Sequence, residues 1–362
     1  MKNFLDTIFF RSNNLNYISQ SIRDLTKNTP ANKIFKAINS YSSDSEVRFV
    51  GGCIRKIINK EIVNDIDMAT NLDPQKVCEV LKENKIDFYE TGIEHGTITA
   101  LIEGYKFEIT SLREDILTDG RHAKVKFSKN WKEDALRRDF TINSIYADED
   151  GNLFDPFEGK KDLENGFVNF IGDADKRIKE DYLRILRYLR FFAHYSKHPH
   201  NPELIRKLKI NIGGISKLSK ERLLDELKKI THLEILEKLA DDKLSSELFL
   251  IVFPELNNLN TFSKLNSKKK QIINKADFVF LLSLMIIDET DNADYFLYKF
   301  NLSNDAKNRI KFLKSNFEYL KEKDFFSKKN LEKIFYYNNK SSVIDLIDFE
   351  LIKTNTMKKK IH

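Results

Sequence analysis

The chain has 362 residues, 41% of them hydrophobic and 12% aromatic, and its 32% of charged residues nearly cancel to a formal net charge of +6. That content excludes a disordered polymer and suits roughly two to four domains. Its two cysteines, Cys53 and Cys78, lack CxxC spacing and argue against a disulfide scaffold or a zinc site, while no apolar run is long enough to cross a membrane, so a soluble cytoplasmic protein is expected.

The mild positive excess admits a polyanionic partner without requiring one. The start, MKNFLDTIFFRSNNLN, has too short an apolar part for a signal peptide and reads as an ordinary N-terminal helix in preference to a transit segment. Residues 1–45 read as helix with loops, with Ile34, Phe35, Ala37 and Ile38 as apolar positions. A short strand at 47–50 closes on Gly51-Gly52, and a helix follows with Ile54, Ile57 and Ile58 inward. Next come two aspartates spaced i, i+2. On a strand over 65–69, Asp65 and Asp67 share a face while Ile66 and Met68 point into a core. Two carboxylates aimed at one volume call for a divalent cation, and Mg²⁺ commonly takes one or two carboxylates plus substrate phosphates. This strand is therefore a candidate metal platform for phosphoryl or nucleotidyl chemistry.

Asp73-Pro74 marks a helix start, with Val77, Val80 and Leu81 on its inner face. The stretches 97–102 and 106–112 alternate about Glu103-Gly104-Tyr105 and predict a hairpin that puts Glu108 and Thr110 on one face. The polar stretch 113–122 reads as a mobile loop. Residues 131–147, which contain RRDFTINS, open charged and turn apolar, and 152–159 is turn-rich. From about 172 onward helical periods dominate, through 177–195, 202–208, 219–239, 243–251, 275–288, 306–320 and 330–352. The run 262–275 holds Lys264, Lys268, Lys269, Lys270 and Lys275 without an acid, which reads as a solvated helix face or as a contact for phosphates.

Projected as one helix, the stretch around 180–184 has Ile178, Tyr182, Ile185, Leu186 and Leu189 on one side and Glu180, Arg184 and Arg187 on the other. Asp181 and Arg184 are then i, i+3 neighbours, and two readings stand. One is a surface ion pair worth a few tenths of a kcal/mol. The other is a fixed acceptor beside a fixed donor, which complements the amino group and ring nitrogen shared by cytosine and adenine and opposes uracil and guanine.

In their order, GGCIRK with DID, LREDILTDGRHA, RRDFTINS, DPFEG, EDYLR and SKERLLDEL resemble the motifs of class II tRNA nucleotidyltransferases (CCA-adding enzymes) and the related bacterial poly(A) polymerases, of the polymerase β superfamily. The resemblance covers 47–227, about half of the chain. It implies an α+β fold: a polymerase β-like nucleotidyltransferase head with a small mixed sheet and flanking helices over 1–171, then an all-helical neck (172–235), body (236–300) and tail (301–362). It implies a two-metal Mg²⁺ site on Asp65 and Asp67, with Glu108 as a candidate third carboxylate or else a solvated strand residue. Gly51, Gly52 and Arg55 would meet the triphosphate, and Arg138, Asp139 and Asn143 the ribose. Asp181 and Arg184 would act as an amino-acid template, with Glu180 orienting them and Arg187 beside them. Arg113, Asp119 and Arg121 would belong to the flexible loop that helps switch from C to A addition. The local alternatives are a plain turn at the glycines and helix capping at 138–143. Asp155 reads as a turn-fixing residue, His95 and His122 as satisfied loop histidines, and Cys53 as a core filler. Lys56 stands where the family often has an acid.

The resemblance thus implies an enzyme that adds CCA to tRNA from CTP and ATP, as a monomer or homodimer without membrane contact. The alternatives are a poly(A) polymerase or a restricted A-adding enzyme of the same family. A full-length 113–122 segment speaks against a CC-only form. No HD-type pair in the second half suggests an appended phosphohydrolase domain. A decayed RNA-binding scaffold would have lost Asp65, Asp67 or Arg184, and all three are present.

Overall fold

The computed structural model describes residues 16–118, 123–322, 324–338 and 340–353. They form two compact units. One runs up to Asp181 and also takes in Tyr195–Leu204; the other comprises Tyr182–His194 and the chain from Ile205 onward.

The first unit begins with helices α1 (16–28) and α2 (Ala31–Asn39) and continues into strand β1 (Val47–Val50), helix α3 (Gly52–Ile58), strand β2 (Ile66–Thr70) and helix α4 (Pro74–Glu83). Strands β3 (Asp87–Gly92), β4 (Thr97–Ile102) and β5 (Tyr105–Ser111) follow, then β6 (Arg113–Thr118), β7 (Ala123–Phe127), β8 (Tyr146–Ala147) and β9 (Leu153–Phe154). Seven of them make one mixed sheet in the order β3-β4-β5-β2-β1-β8-β9. The pair β2–β5 is parallel, and β1–β2 and β4–β5 are antiparallel. The expected hairpin is present. Its two turn residues, Glu103 and Gly104, both have positive φ (51° and 82°), the geometry that matches the twist of paired strands.

Register sorts the two faces of this sheet. Phe49 pairs with Met68 and Met68 with Ile109, so these fully buried side chains share one face. Helices α2 and α4 pack on the sheet, burying Ile34, Phe35 and Ile38 and Val77, Val80 and Leu81; the Phe35 and Phe49 rings meet edge-on at 4.9 Å. On the opposite face Asp67 stands against Glu108, Ala69 against Thr110 and Thr99 against Glu108. A smaller cluster of Val50, Ala69, Leu112, Ala135 and Tyr146, flanked by Trp131, Phe154 and Phe157, fills part of that face.

Three features depart from the expectations. The edge strand β3 was not anticipated; a register shift between Tyr89 and Gly92 breaks its alternation, so a period-2 search passes over it. The stretch 113–118 is strand, not loop: β6 pairs antiparallel with β7 as a separate two-stranded sheet. Asp119, Arg121 and His122 lie outside the described residues, as does the stretch 1–15. The third departure is in the presumed single helix over 177–195. Helix α5 (Trp131–Leu136), a 3₁₀ turn (Thr141–Asn143), α6 (Gly159–Asn165) and α7 (Ala174–Glu180) close the first unit. Asp181 is then extended (φ −153°, ψ 104°), and α8 (Leu183–Tyr195) starts afresh, with the Tyr182 carbonyl accepting from the Ile185 N–H at 3.1 Å. A projection at 100° per residue therefore does not carry across Asp181, and Asp181 and Arg184 are not neighbours on one helical turn.

The second unit is helical: α9 (Pro202–Asn211), α10 (Lys220–Ile230), α11 (Leu233–Asp241), α12 (Lys243–Val252), α13 (Ser267–Lys275), α14 (Phe278–Ile286), α15 (Asn292–Lys299), α16 (Asn304–Phe317), α17 (Lys328–Tyr337) and α18 (Lys340–Lys353). Phe249, Phe253, Phe296, Phe300 and Phe349 are fully buried in it. Its buried charges are paired, as the cost of desolvation requires: Arg190 with Glu226 and Lys299 with Glu255, each at 2.6 Å. The lysine run is partly engaged within the chain, since Lys270 pairs with Glu237 at 2.7 Å and Lys269 donates to the Ile352 carbonyl at 2.7 Å. Lys264, Lys268 and Lys275 are exposed.

Candidate active site

The site is built where β1 ends. Gly51 is the N-cap of α3 and has φ +67° and ψ −114°, a conformation that a side chain resists; its N–H donates to the Ile145 carbonyl at 3.1 Å. A Cβ on Gly51 would lie 3.5 Å from Nη1 of Arg138, and one on Gly52 would lie 3.6 Å from Oδ2 of Asp67 and 3.9 Å from Nη2 of Arg55. The glycine turn therefore gathers members of three separate motifs.

Asp67 is half-buried on β2, Asp65 is exposed just ahead of the strand, and Glu108 is exposed directly across from Asp67 on β5. Burial, and then the Glu108 carboxylate, push the Asp67 carboxyl up; Asp65 pushes in the same direction, while Arg138 and Arg55 oppose it. Among the described residues no three His, Cys, Asp or Glu side chains form a closed metal cage. The acids are instead an open set of oxygen donors whose mutual repulsion a divalent cation would relieve. That fits a hard cation that completes its shell with water and substrate phosphate.

The basic side of the site is held from below. Arg138 pairs with Asp134 at 3.2 Å, its Nε donates to the Tyr146 hydroxyl at 3.0 Å, and its Nη1 donates to the Asn143 carbonyl at 3.4 Å. Tyr146 in turn donates to Asp134 at 2.7 Å, and Arg137 pairs with the other Asp134 oxygen at 2.7 Å. Asp134 is only 1% exposed. Burial alone would raise its carboxyl, but Arg138 and Arg137 hold it down to about 2.

Arg55 is buried on α3, at 8% exposure. Its Nη1 donates to Oδ1 of Asn143, and its Nε donates to the Tyr195 hydroxyl at 3.0 Å. Asn143, buried on the 3₁₀ turn, donates to Oδ1 of Asp139 at 2.8 Å, and the same oxygen accepts the Phe140 N–H at 2.9 Å. The structure thus brings Gly51, Gly52, Arg55, Asp65, Asp67, Glu108, Arg138, Asp139 and Asn143 into one neighbourhood of the first unit.

Arg113 opens β6, where its backbone N–H donates to Asp134 at 3.4 Å and its side chain to the His95 carbonyl. Glu180 ends α7 in an ion pair with Arg177, which also donates to the Arg137 and Arg138 carbonyls. Asp181 closes the first unit, and Arg184 and Arg187 belong to the second, where the Arg187 guanidinium lies 5.5 Å from the Phe191 ring centre. Asp155 does fix a turn, accepting the Gly159 and Lys160 N–H groups at 2.8 Å each. Cys53 is a buried filler whose thiol burial pushes up to about 12, and His95 is exposed.

Sequence reasoning passed over Asp134, Tyr146 and Tyr195. The i, i+3 and i, i+4 spacing of Asp134, on α5, to Arg137 and Arg138 just past its end was a usable signal for the first. Nothing local marks the two tyrosines.

The Poly A polymerase head domain family matches residues 47–169. Over 188 residues the chain is 46% identical to CCA tRNA nucleotidyltransferase 1, mitochondrial, of Homo sapiens, a stretch that is 51% of this chain and 43% of that protein. The chain therefore spans less than half of that relative's length. It is 31% identical over 317 residues to the CCA-adding enzyme of Staphylococcus haemolyticus, covering 86% of this chain and 75% of that protein. Among solved structures, the Bacillus stearothermophilus CCA-adding enzyme in complex with CTP superposes with a TM-score of 0.68 at 21% identity, over 89% of this chain and 77% of that one, a likeness of fold.

Proposed function

The chain belongs to the class II CCA-adding enzyme family, and from that premise we propose that it adds CCA to tRNA 3′ ends from CTP and ATP without a nucleic-acid template. The observation that carries this reading is the glycine turn, against which Asp67, Arg55 and Arg138 all come to rest.

In the reaction the primer 3′-oxygen bonds to the α-phosphorus of the incoming nucleotide, the bond to the bridging oxygen breaks, and pyrophosphate leaves. Such transfers are accelerated by positioning and charge neutralisation, with no covalent enzyme intermediate. Asp65 and Asp67, with Glu108 as a further donor, would hold Mg²⁺, which in a two-metal site activates the primer hydroxyl and offsets charge on the leaving group. The open backbone of Gly51 and Gly52 admits the triphosphate, and Arg55 supplies fixed positive charge beside it. Arg138, Asp139 and Asn143 set the ribose side of the site. Asp181 and Arg184 present an acceptor and a donor to the base, with Arg187 beside them and Glu180, anchored on Arg177, steadying the turn before Asp181. Because α7 ends at Glu180, Asp181 would work from the break and Arg184 from the first turn of α8. Arg113, Asp119 and Arg121 are assigned to the segment that helps switch from C to A.

We assign 1–171 to the head, 172–235 to the neck, 236–300 to the body and 301–362 to a tRNA-binding tail. No helix among the described residues is long and apolar enough to cross a membrane. We expect a cytoplasmic monomer or homodimer, with the mitochondrial human relative naming the other compartment to examine.

The test offers tRNAs lacking the whole CCA, ending in the first C or ending in the second C, with each NTP alone and in mixtures. Stepwise completion to CCA and no further is expected. Long A tracts on any primer would assign a poly(A) polymerase instead, and A added only after CC a restricted enzyme.

A further inference from the structure

We propose that Tyr195 is a positioning residue for the nucleotide, one that fixes the Arg55 guanidinium at the Gly51-Gly52 turn. This rests on the reading above that Arg55 meets the triphosphate.

Arg55 is a buried cation on a short helix, and a side chain of that length needs more than one anchor to present one face to a ligand. Two edges are anchored. Nη1 donates to Oδ1 of Asn143, whose amide is itself oriented by Asp139. Nε donates to the Tyr195 hydroxyl at 3.0 Å, and the guanidinium carbon lies 5.4 Å from the centre of the tyrosine ring. The third corner, Nη2, lies 3.9 Å from where a Cβ on Gly52 would stand, a position 3.6 Å from Oδ2 of Asp67. Because the Tyr195 oxygen accepts from Arg55, its own proton is directed to Oε2 of Glu61 at 3.4 Å. Burial raises the phenol pKa, with Arg55 opposing, so the group stays a neutral donor near pH 7.

Tyr195 is also held from its own side. It is 140 residues from Arg55 in sequence, yet Tyr195–Leu204 packs as part of the first unit. The Lys197 N–H donates to the Gly166 carbonyl at 3.1 Å and its Nζ to the Glu164 carbonyl at 3.0 Å; His198 bonds the Asn165 carbonyl at 2.9 Å and stacks on Phe167 at 4.3 Å. Gly166 has φ +78°, and a Cβ there would meet Lys197 Cγ at 2.5 Å, so the strap fits closely. Buried packing alone would be served by a phenylalanine; the hydroxyl is what reaches Arg55.

The test compares the full-length protein with Tyr195→Phe, which keeps the ring and removes the oxygen. KM for CTP and ATP should rise about tenfold, the size of one hydrogen bond to a charged group, with kcat and the melting temperature little changed. In an Arg55→Lys background the same change should add less than about twofold, since both act through one contact. A Tyr195→Phe KM within about twofold of the parent, or full additivity with Arg55→Lys, would overturn the proposal. If the parent incorporates no nucleotide, the reading of function fails; direct ATP binding by calorimetry then decides Tyr195, weaker binding by the variant supporting it and equal binding refuting it. Should Tyr195→Phe not fold, Glu61→Leu, which removes the acceptor of the tyrosine proton, takes its place: a raised KM supports the proposal and an unchanged one overturns it.

Discussion

Asp67 and Glu108 are opposed residues on the parallel strands β2 and β5, two acids on one rung of the sheet. Neighbouring strands lie only about 4.8 Å apart, so their carboxylates compete for the same space. Burial first, and then the Glu108 and Asp65 carboxylates, disfavour the ionised form of Asp67, and its carboxyl is raised.

A first prediction follows from that raised carboxyl. A carboxyl raised in the folded state adds stability when protonated, and that contribution is lost as pH rises through the folded pKa. At neutral pH without metal, ionised Asp67 therefore destabilises the fold. Asp67→Asn should melt higher than the parent in EDTA at pH 7.5, with the gap narrowing toward acid pH. Mg²⁺ should raise the melting temperature of the parent more than that of the variant, and the variant should incorporate no nucleotide. An Asp67→Asn protein that melts lower in EDTA would contradict this account.

Asp134 works with the opposite sign. Its carboxyl is lowered from 3.8 to about 2, so its contribution is complete above pH 3.8 and is lost as pH falls toward 2. Asp134→Ala leaves the buried charge of Arg138 uncompensated and should cost about 3–5 kcal/mol in denaturant unfolding at pH 7. The cost should shrink when the same comparison is made at acid pH.

Gly51→Ala tests the turn itself. The nearest atoms to a new Cβ, 3.5 Å away, leave room for it, so the expected damage comes from the backbone at φ +67°. A loss of roughly 1–3 kcal/mol is expected, with a larger fall in incorporation than in tRNA binding, measured by urea unfolding and filter binding.

Arg184→Ala should loosen the choice of base more than it weakens primer binding. Competition of UTP and GTP against CTP and ATP measures this. Unchanged selectivity would remove Arg184 from base recognition.

Much of the site could be read along the chain because its chemistry is local: a glycine pair that a tight turn needs, acids at i, i+2 spacing, and Arg138, Asp139 and Asn143 within one short motif. Where local rules met an interruption they failed. A helical period extended over 177–195 concealed the extended Asp181, since apolar spacing reports which face is buried and not whether the backbone is continuous. The bulge in β3 hid a strand in the same way, and pairing of 113–118 with β7 made a hairpin of a polar stretch that had no apolar alternation to announce it.

The sequence by itself determined the family, the order of motifs, the acid pair Asp65 and Asp67 and the helical character of the second half, because each depends on residues within a few positions of one another. Only the tertiary structure decided that Glu108 faces Asp67, that Asp134 and Tyr146 hold Arg138, and that Tyr195 reaches Arg55 from 140 residues away. Those pairings are fixed by strand register and by the cost of burying a charge without a partner, and both are properties of the packed chain.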